Sequence, residues 1–251
     1  MPKMSLLDMV QDILSDMDSD EVNSINDTIE AMQVAQIIKT TYYNIMDGKD
    51  WPHLKQFFQL EASNTIARPN YMKLPENVIN VEIVKYNKKK STDLFDKIED
   101  VKYKTPEEFL DLINNRLSNA SNILVVTDTT NITLNILKDS APSYFTSFDD
   151  EWIIFDSYDN AIDNTLQASK TQCYGKIKSS FTISDSFIPD IPIQMFSYLL
   201  NEAKSTAFLI LKQAPNQKAE QHSISQRRRM SQEAWRIKKG ISYPNYGRKG
   251  K

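Results

Sequence analysis

Apolar positions recur along this chain at two different periods, and the change of period divides it. Leu6, Leu7, Val10, Ile13, Leu14 and Met17 fall at helical spacing, with Asp8, Asp12 and Asp16 opposite. That pattern predicts an amphipathic helix over 5–17. An acidic, Asn/Ser-rich loop follows. Asp27 or Thr28 is placed to cap a second helix over 29–46, with Val34, Ile37, Ile38, Thr41 and Ile45 along one face. From residue 54 the period changes. Segments 56–60 and 78–86 are rich in β-branched and aromatic residues, a Lys-rich turn closes the second, and 101–103 is a further short strand. Thr105-Pro106-Glu107-Glu108 is a helix start, with an N-cap Thr, Pro at the first helical position and Glu at the third. A helix over 106–117 packing Phe109, Leu112 and Ile113 is expected, then strands at 123–127, 132–137, 152–155 and 166–177.

Helical spacing returns at the C-terminal end. Pro192 suits a first turn, and Phe196, Leu199, Leu200, Ala203, Ala207, Ile210 and Leu211 form one broad apolar face. Ala214-Pro215-Asn216 breaks that helix. Over 217–239 only Ala219, Ile224, Met230, Ala234, Trp235 and Ile237 make a thin apolar stripe, Gly240 is a stop, and 241–251 has no periodicity. A helix so long and polar needs a neighbour besides its own core. The expected class is α+β: terminal helices forming a small bundle, an inserted, mostly antiparallel β domain, a long C-terminal helix and an extended tail. The boundaries this implies are 1–52, 53–187, 188–240 and 241–251.

Composition adds little except through charge. The 251 residues are 40% hydrophobic and 25% charged, with a net charge of −3, which argues against a dedicated nucleic-acid binder. The charge is polarised, however. Residues 1–30 hold eight acids against one base, a net of −7, while 212–251 hold eleven bases against two acids, a net of +9. Such ends can attract one another within a subunit or between neighbours. No apolar run approaches a membrane span, the N-terminus shows no signal-peptide pattern, and one cysteine fits a reducing cytoplasm.

Candidate chemistry is sparse. Asp149-Asp150-Glu151 invites a metal reading, but consecutive residues on a strand alternate faces, so a solvated turn is expected. His53, His222 and Cys173 give no zinc-type cluster, and no phosphate-binding or nucleophile motif is present. The expectation is therefore no catalytic residue, no metal and no cofactor. Arg227, Arg228 and Arg229 are the strongest recognition candidates. With Trp235 and Arg236 they suggest a protein interface, and a nucleic-acid-binding accessory protein using this basic helix is the alternative.

The order of these elements resembles the head-to-tail adaptor of short-tailed phages, the tail tubular protein A family. The resemblance rests on the N-terminal helix with Asp12-Ile13-Leu14, the step Asp50-Trp51, residues 147–158 and 202–208, and the stretch from Trp235 to Tyr246. It implies a virion structural protein of the neck, made in the host cytoplasm. Such a protein forms a ring of twelve subunits between portal protein and tail nozzle (a tail tubular protein B-like partner). DNA passes through its channel without sequence-specific binding, and no membrane is involved. Tyr243, Tyr246, Arg248 and Lys249 would then lie in a portal-docking tail, with Arg227, Arg228, Arg229, Trp235 and Arg236 at portal or subunit interfaces.

Overall fold

The computed structural model describes residues 3–90 and 92–238, with side chains as far as 232. It is a mixed α/β protein. The first elements are α1 (Leu6–Asp16), α2 (Ile29–Asp47), β1 (Lys55–Phe58), β2 (Glu61–Ala62), β3 (Tyr71–Lys73), β4 (Val78–Asn87) and β5 (Ile98–Tyr103). Then come α3 (Pro106–Asn114), β6 (Ile123–Thr127), β7 (Thr133–Leu137), β8 (Tyr144–Thr146) and β9 (Trp152–Phe155). The last are β10 (Thr171–Ile177), α4 (Ile193–Leu211) and α5 (Gln217–Lys238). The chain divides into two compact units, one from its two ends (to Leu54 and from Ser179 onward), the other Lys55–Lys178.

In the helical unit, α1 starts on a full capping box. Ser5 Oγ accepts the Asp8 N–H (3.2 Å) and Asp8 Oδ2 accepts the Ser5 N–H (2.9 Å), which draws the Asp8 carboxyl below the usual carboxylate range. Thr28, rather than Asp27, caps α2 by accepting the Ala31 N–H at 3.0 Å. Asp27 instead holds the preceding loop, accepting the N–H groups of Asn23 and Ser24 at 2.8 Å. One core runs through Leu6, Met9 and Ile13 of α1, Val34, Ile38 and Tyr42 of α2, and Phe196, Leu199 and Ala203 of α4. Phe181 and Phe187, ring centroids 4.7 Å apart, belong to this unit's packing, and Phe181 also meets Tyr42 at 5.1 Å. That places 179–187 with the helices, whereas the spacing of residues assigned them to the β domain. Ile210, expected on the apolar face of α4, is exposed.

The other unit is built on an eight-stranded sheet of order β1-β10-β4-β5-β8-β9-β3-β2, with β6–β7 as a separate two-stranded sheet. All pairs are antiparallel except β5 with β8. Thr105 Oγ1 accepts the Glu108 N–H (3.3 Å) to start α3, while the Glu108 carboxylate turns to Lys104 at 3.6 Å. Phe109 and Ile113 of α3 join Val84, Tyr86, Val101, Leu134, Ile136 and Phe155 in the core.

Two polar ties lock this unit. After β9, Asp156 is buried and bonds Arg116, which follows α3, and the N–H groups of Ser143 and Tyr144. The second tie is Asp128, in the β6–β7 turn, which accepts the Tyr71 O–H at 2.7 Å and the Thr130 O–H at 2.9 Å. Burial pushes the Asp128 carboxyl up, but those bonds and the backbone N–H groups of Thr129 and Thr130 outweigh it and hold it at about 2. A depressed carboxylate stabilises the fold above its unfolded value and loses that contribution as pH falls toward the folded one. The contribution is about 2 kcal/mol at neutral pH, roughly half of it gone at pH ~3. Urea unfolding of wild type and Asp128→Asn at pH ~6 and ~3 checks this. The variant is expected to be less stable at pH ~6 and to lose about 1 kcal/mol less between the two.

Candidate interface on the basic helix

α5 begins where α4 is cut off. Gln213 takes a left-handed conformation (φ 52), Pro215 blocks continuation, and Asn216 Oδ1 accepts the Ala219 N–H at 3.1 Å to start the new helix. α5 packs back on α4, and among its residues with described side chains, 217–232, it buries Ala219, Ser223 and Met230, with Gln226 half-buried. Their spacing of four, three and four is a coiled-coil seam rather than a broad apolar face. The seam is largely polar. Gln226 Nε2 donates to Ser197 Oγ (2.5 Å), Asn201 Nδ2 reaches Gln226 Oε1 (3.4 Å), and Ser223 Oγ bonds Glu202. Ile224, read from the sequence as part of the apolar stripe, is 46% exposed on the outer side. The helix is placed by hydrogen bonds at its seam as well as by Ala219 and Met230, and hydrogen-bonding residues carry no apolar periodicity. The interval of Ala219, Ser223, Gln226 and Met230 against Ser197 and Asn201 was the signal available.

Arg227, Arg228 and Arg229 are all exposed. Successive helical residues turn by about 100°, so the three fan out instead of forming one claw. Arg227 borders a groove of about 400 Å³ between α2, α4 and α5, together with Gln36, Ile37, Trp51, Tyr198 and Glu202. Burial raises the Tyr198 phenol, Glu202 raises it further, and Arg227 opposes both. Arg228 lies on the outer side beside Gln221, Ile224 and Gln232. Trp235 and Arg236 fall within the backbone span of α5, but their side chains lie outside the described residues. Tyr243, Tyr246, Arg248 and Lys249 also lie outside the described residues.

The acidic end has a different destination from the one its charge alone suggests. Asp12 and Asp16 of α1 both pair with Lys204 of α4, at 2.8 and 2.5 Å. Burial by itself would push the Lys204 ammonium down, but the two carboxylates outweigh it and raise it. With Asp8 completing the α1 capping box, Asp27 holding a loop and Glu30 accepting the Ser19 O–H (3.1 Å), five of the acids in this segment have structural partners inside the helical unit.

The other chemical candidates sit as follows. Asp149 turns the chain from β8 into β9, its Oδ1 accepting the N–H groups of Glu151 (3.1 Å) and Trp152 (2.9 Å), and Asp150 is left-handed (φ 59). Cys173 is buried in β10, and burial pushes its thiol up to about 12. Burial likewise pushes the His53 imidazole down. Among the described residues no three His, Cys, Asp or Glu side chains are grouped to hold a metal ion, and no helix is long and apolar enough to cross a membrane. The chain matches no protein-family model and no curated protein sequence.

Proposed function

We propose that this protein is a structural adaptor of a virion, of the tail tubular protein A kind, joining a portal to a tail nozzle as a ring around a DNA channel. In this reading α1, α2, α4 and α5 make a small bundle whose outer surfaces meet other chains. The observation that carries it is the one-sidedness of α5. Over residues 217–232 this helix spends Ala219, Ser223, Gln226 and Met230 on its own subunit, while Ile224, Arg228 and Gln232 lie exposed on its outer side and Arg227 borders the groove with α2 and α4. Arg is among the side chains enriched at protein interfaces. Arg227, Arg228, Arg229, Trp235 and Arg236 would lie at subunit or portal contacts, with Tyr243, Tyr246, Arg248 and Lys249 in the docking tail. The adaptor does no catalysis and needs no cofactor.

Native mass spectrometry of the full chain, alone and mixed with the portal of the same virus, tests this. The expected result is a ring, twelve subunits by the resemblance, bound to the portal, with binding lost in a chain truncated after Gly240. Undiminished portal binding by the truncated chain overturns the tail assignment. Failure of the full chain to join either ring or portal at any concentration overturns the function.

The exposure of the same three arginines supports a second reading, a nucleic-acid-binding accessory protein. It predicts affinity for duplex DNA that falls steeply with salt and weakens in Arg227→Ala. The adaptor predicts little affinity for free duplex, since the chain carries a net charge of −3.

A further inference from the structure

The β4–β5 ribbon has an unfilled groove at one end and an apolar knob at the other. β4 pairs with β5 only from Val84 to Asn87, whereas β10 pairs with it as far back as Val78. Next to that limit the β10 register slips past Glu82, between the Ile83–Tyr174 and Val81–Gly175 pairs. A bulge of this kind bends the strand that carries it. Gly175 is required there, because a Cβ would stand 2.0 Å from the Asn80 carbonyl oxygen. Beyond Val101, β5 takes β8 as its partner, with the Lys102 N–H donating to the Ser143 carbonyl (3.0 Å). The two strands therefore part. Between them opens a groove of about 800 Å³ lined by Ile79, Val81, Ile83, Tyr103 and Phe145. Among the described residues no strand pairs with the β5 side of β4 over residues 78–83.

At the far end of the ribbon the turn is held firmly. Asn87 Oδ1 accepts the N–H groups of Lys89 (3.1 Å) and Lys97 (3.2 Å), and Asp93 Oδ2 accepts that of Lys90 (3.0 Å). Lys88–Glu99 (2.8 Å), Lys89–Asp96 (3.3 Å) and Lys97–Asp93 (2.8 Å) pair its charges internally. What the turn presents outward is Leu94, 88% exposed, and Phe95, 82% exposed. Two adjacent large apolar side chains on a braced turn are ordered before they meet a partner, so little conformational entropy remains to be lost on docking.

We propose that Leu94 and Phe95 of one copy of this chain enter the β4–β5 groove of the next copy, as a head-to-tail contact. Knob and groove cannot meet within one chain, because they sit at opposite ends of one ribbon, roughly 20 Å apart at ~3.3 Å per strand residue. Every copy carries one of each, which is the condition for a heterologous contact that propagates around a ring. The formal charges are of opposite sign: residues 88–99 carry four Lys against three acids, Asp93, Asp96 and Glu99, whereas the groove's Glu82, Asp100 and Asp150 outnumber its Lys85 and Lys102. The proposal rests on the ring reading and supplies it with a lateral contact in the β unit, in addition to those of the helices.

The test mixes full-length chains bearing Leu94→Cys with full-length chains bearing Tyr103→Cys and adds a short bis-maleimide. Cys173 is buried with its thiol pushed up to about 12, so it gives little background. The expected result is a covalent dimer in the mixture and little with either variant alone. The double change Leu94→Asp with Phe95→Asp is expected to weaken self-association by tenfold or more. The similarly exposed Leu117→Asp is the control, expected to leave it unchanged. Cross-linking of Leu94→Cys with itself, or equal association of the Asp double variant and wild type, overturns the proposal. If native mass spectrometry shows a ring while the mixture gives no cross-link, the knob assignment falls and the ring reading survives. If neither appears, both fall.

Discussion

Asp156→Ala is expected to cost about 3–5 kcal/mol of stability, because it strands a half-buried cation and two backbone donors together. Asp156 is 2% exposed, and its Oδ2 accepts from Arg116 Nη2 at 2.9 Å. Its Oδ1 accepts the N–H groups of Ser143 (3.0 Å) and Tyr144 (2.8 Å), and Arg116 Nη1 donates to the carbonyls of Asn135 (3.1 Å) and Asp156 (2.7 Å). One side-chain pair thus ties the exit of α3, strand β7, and the junction of β8 with β9. Removing the carboxylate leaves Arg116 with a charge and no counter-ion. Urea unfolding monitored by tryptophan fluorescence measures the loss. Adding Arg116→Ala is expected to cost less than the sum of the two single changes, by about 0.5–3 kcal/mol. A loss below about 1 kcal/mol in Asp156→Ala would show that the tie is dispensable.

A loss of similar size, about 3–5 kcal/mol, is expected for Phe196→Ala in the helical unit. Phe196 is fully buried in the core shared by α1, α2 and α4, so truncation removes transfer free energy and leaves a cavity. Leu209→Ala, on the same helix but 62% exposed, is the matched control and is expected to stay within about 0.5 kcal/mol of wild type. Thermal unfolding of both variants followed by circular dichroism separates them. Equal shifts would mean that the buried and exposed faces of α4 are not energetically distinct.

The long helices were legible because their signal is redundant. α1, α2 and α4 each bury several residues that the 3.6-residue spacing selects, and the starts of α2 and α4 are marked by Thr28 and Pro192. The strands β4, β6 and β9 were legible as runs of β-branched and aromatic residues. β2, β3 and β8 were not. At two or three residues each they are too short to show alternation, and they exist because neighbouring strands offer them a ladder. The break before α5 was readable from Ala214-Pro215-Asn216, and Ala219 and Met230 of its seam from the apolar stripe, but Ser223 and Gln226 were not, because they look like surface residues until Glu202 and Ser197 stand opposite.

The residue order by itself determined the alternation of helical and β segments, the helix starts, the absence of familiar catalytic motifs, and the charge at each end. Those properties depend on neighbours a few positions away, and local spacing encodes them. Only the tertiary structure decided that Asp12 and Asp16 pair with Lys204, that Asp156 holds Arg116, and that β5 leaves β4 for β8. These depend on partners tens to nearly two hundred residues distant, chosen by which faces must be buried and which polar groups must then be satisfied. The groove beside β4 and the exposed Leu94 and Phe95 are products of that same choice.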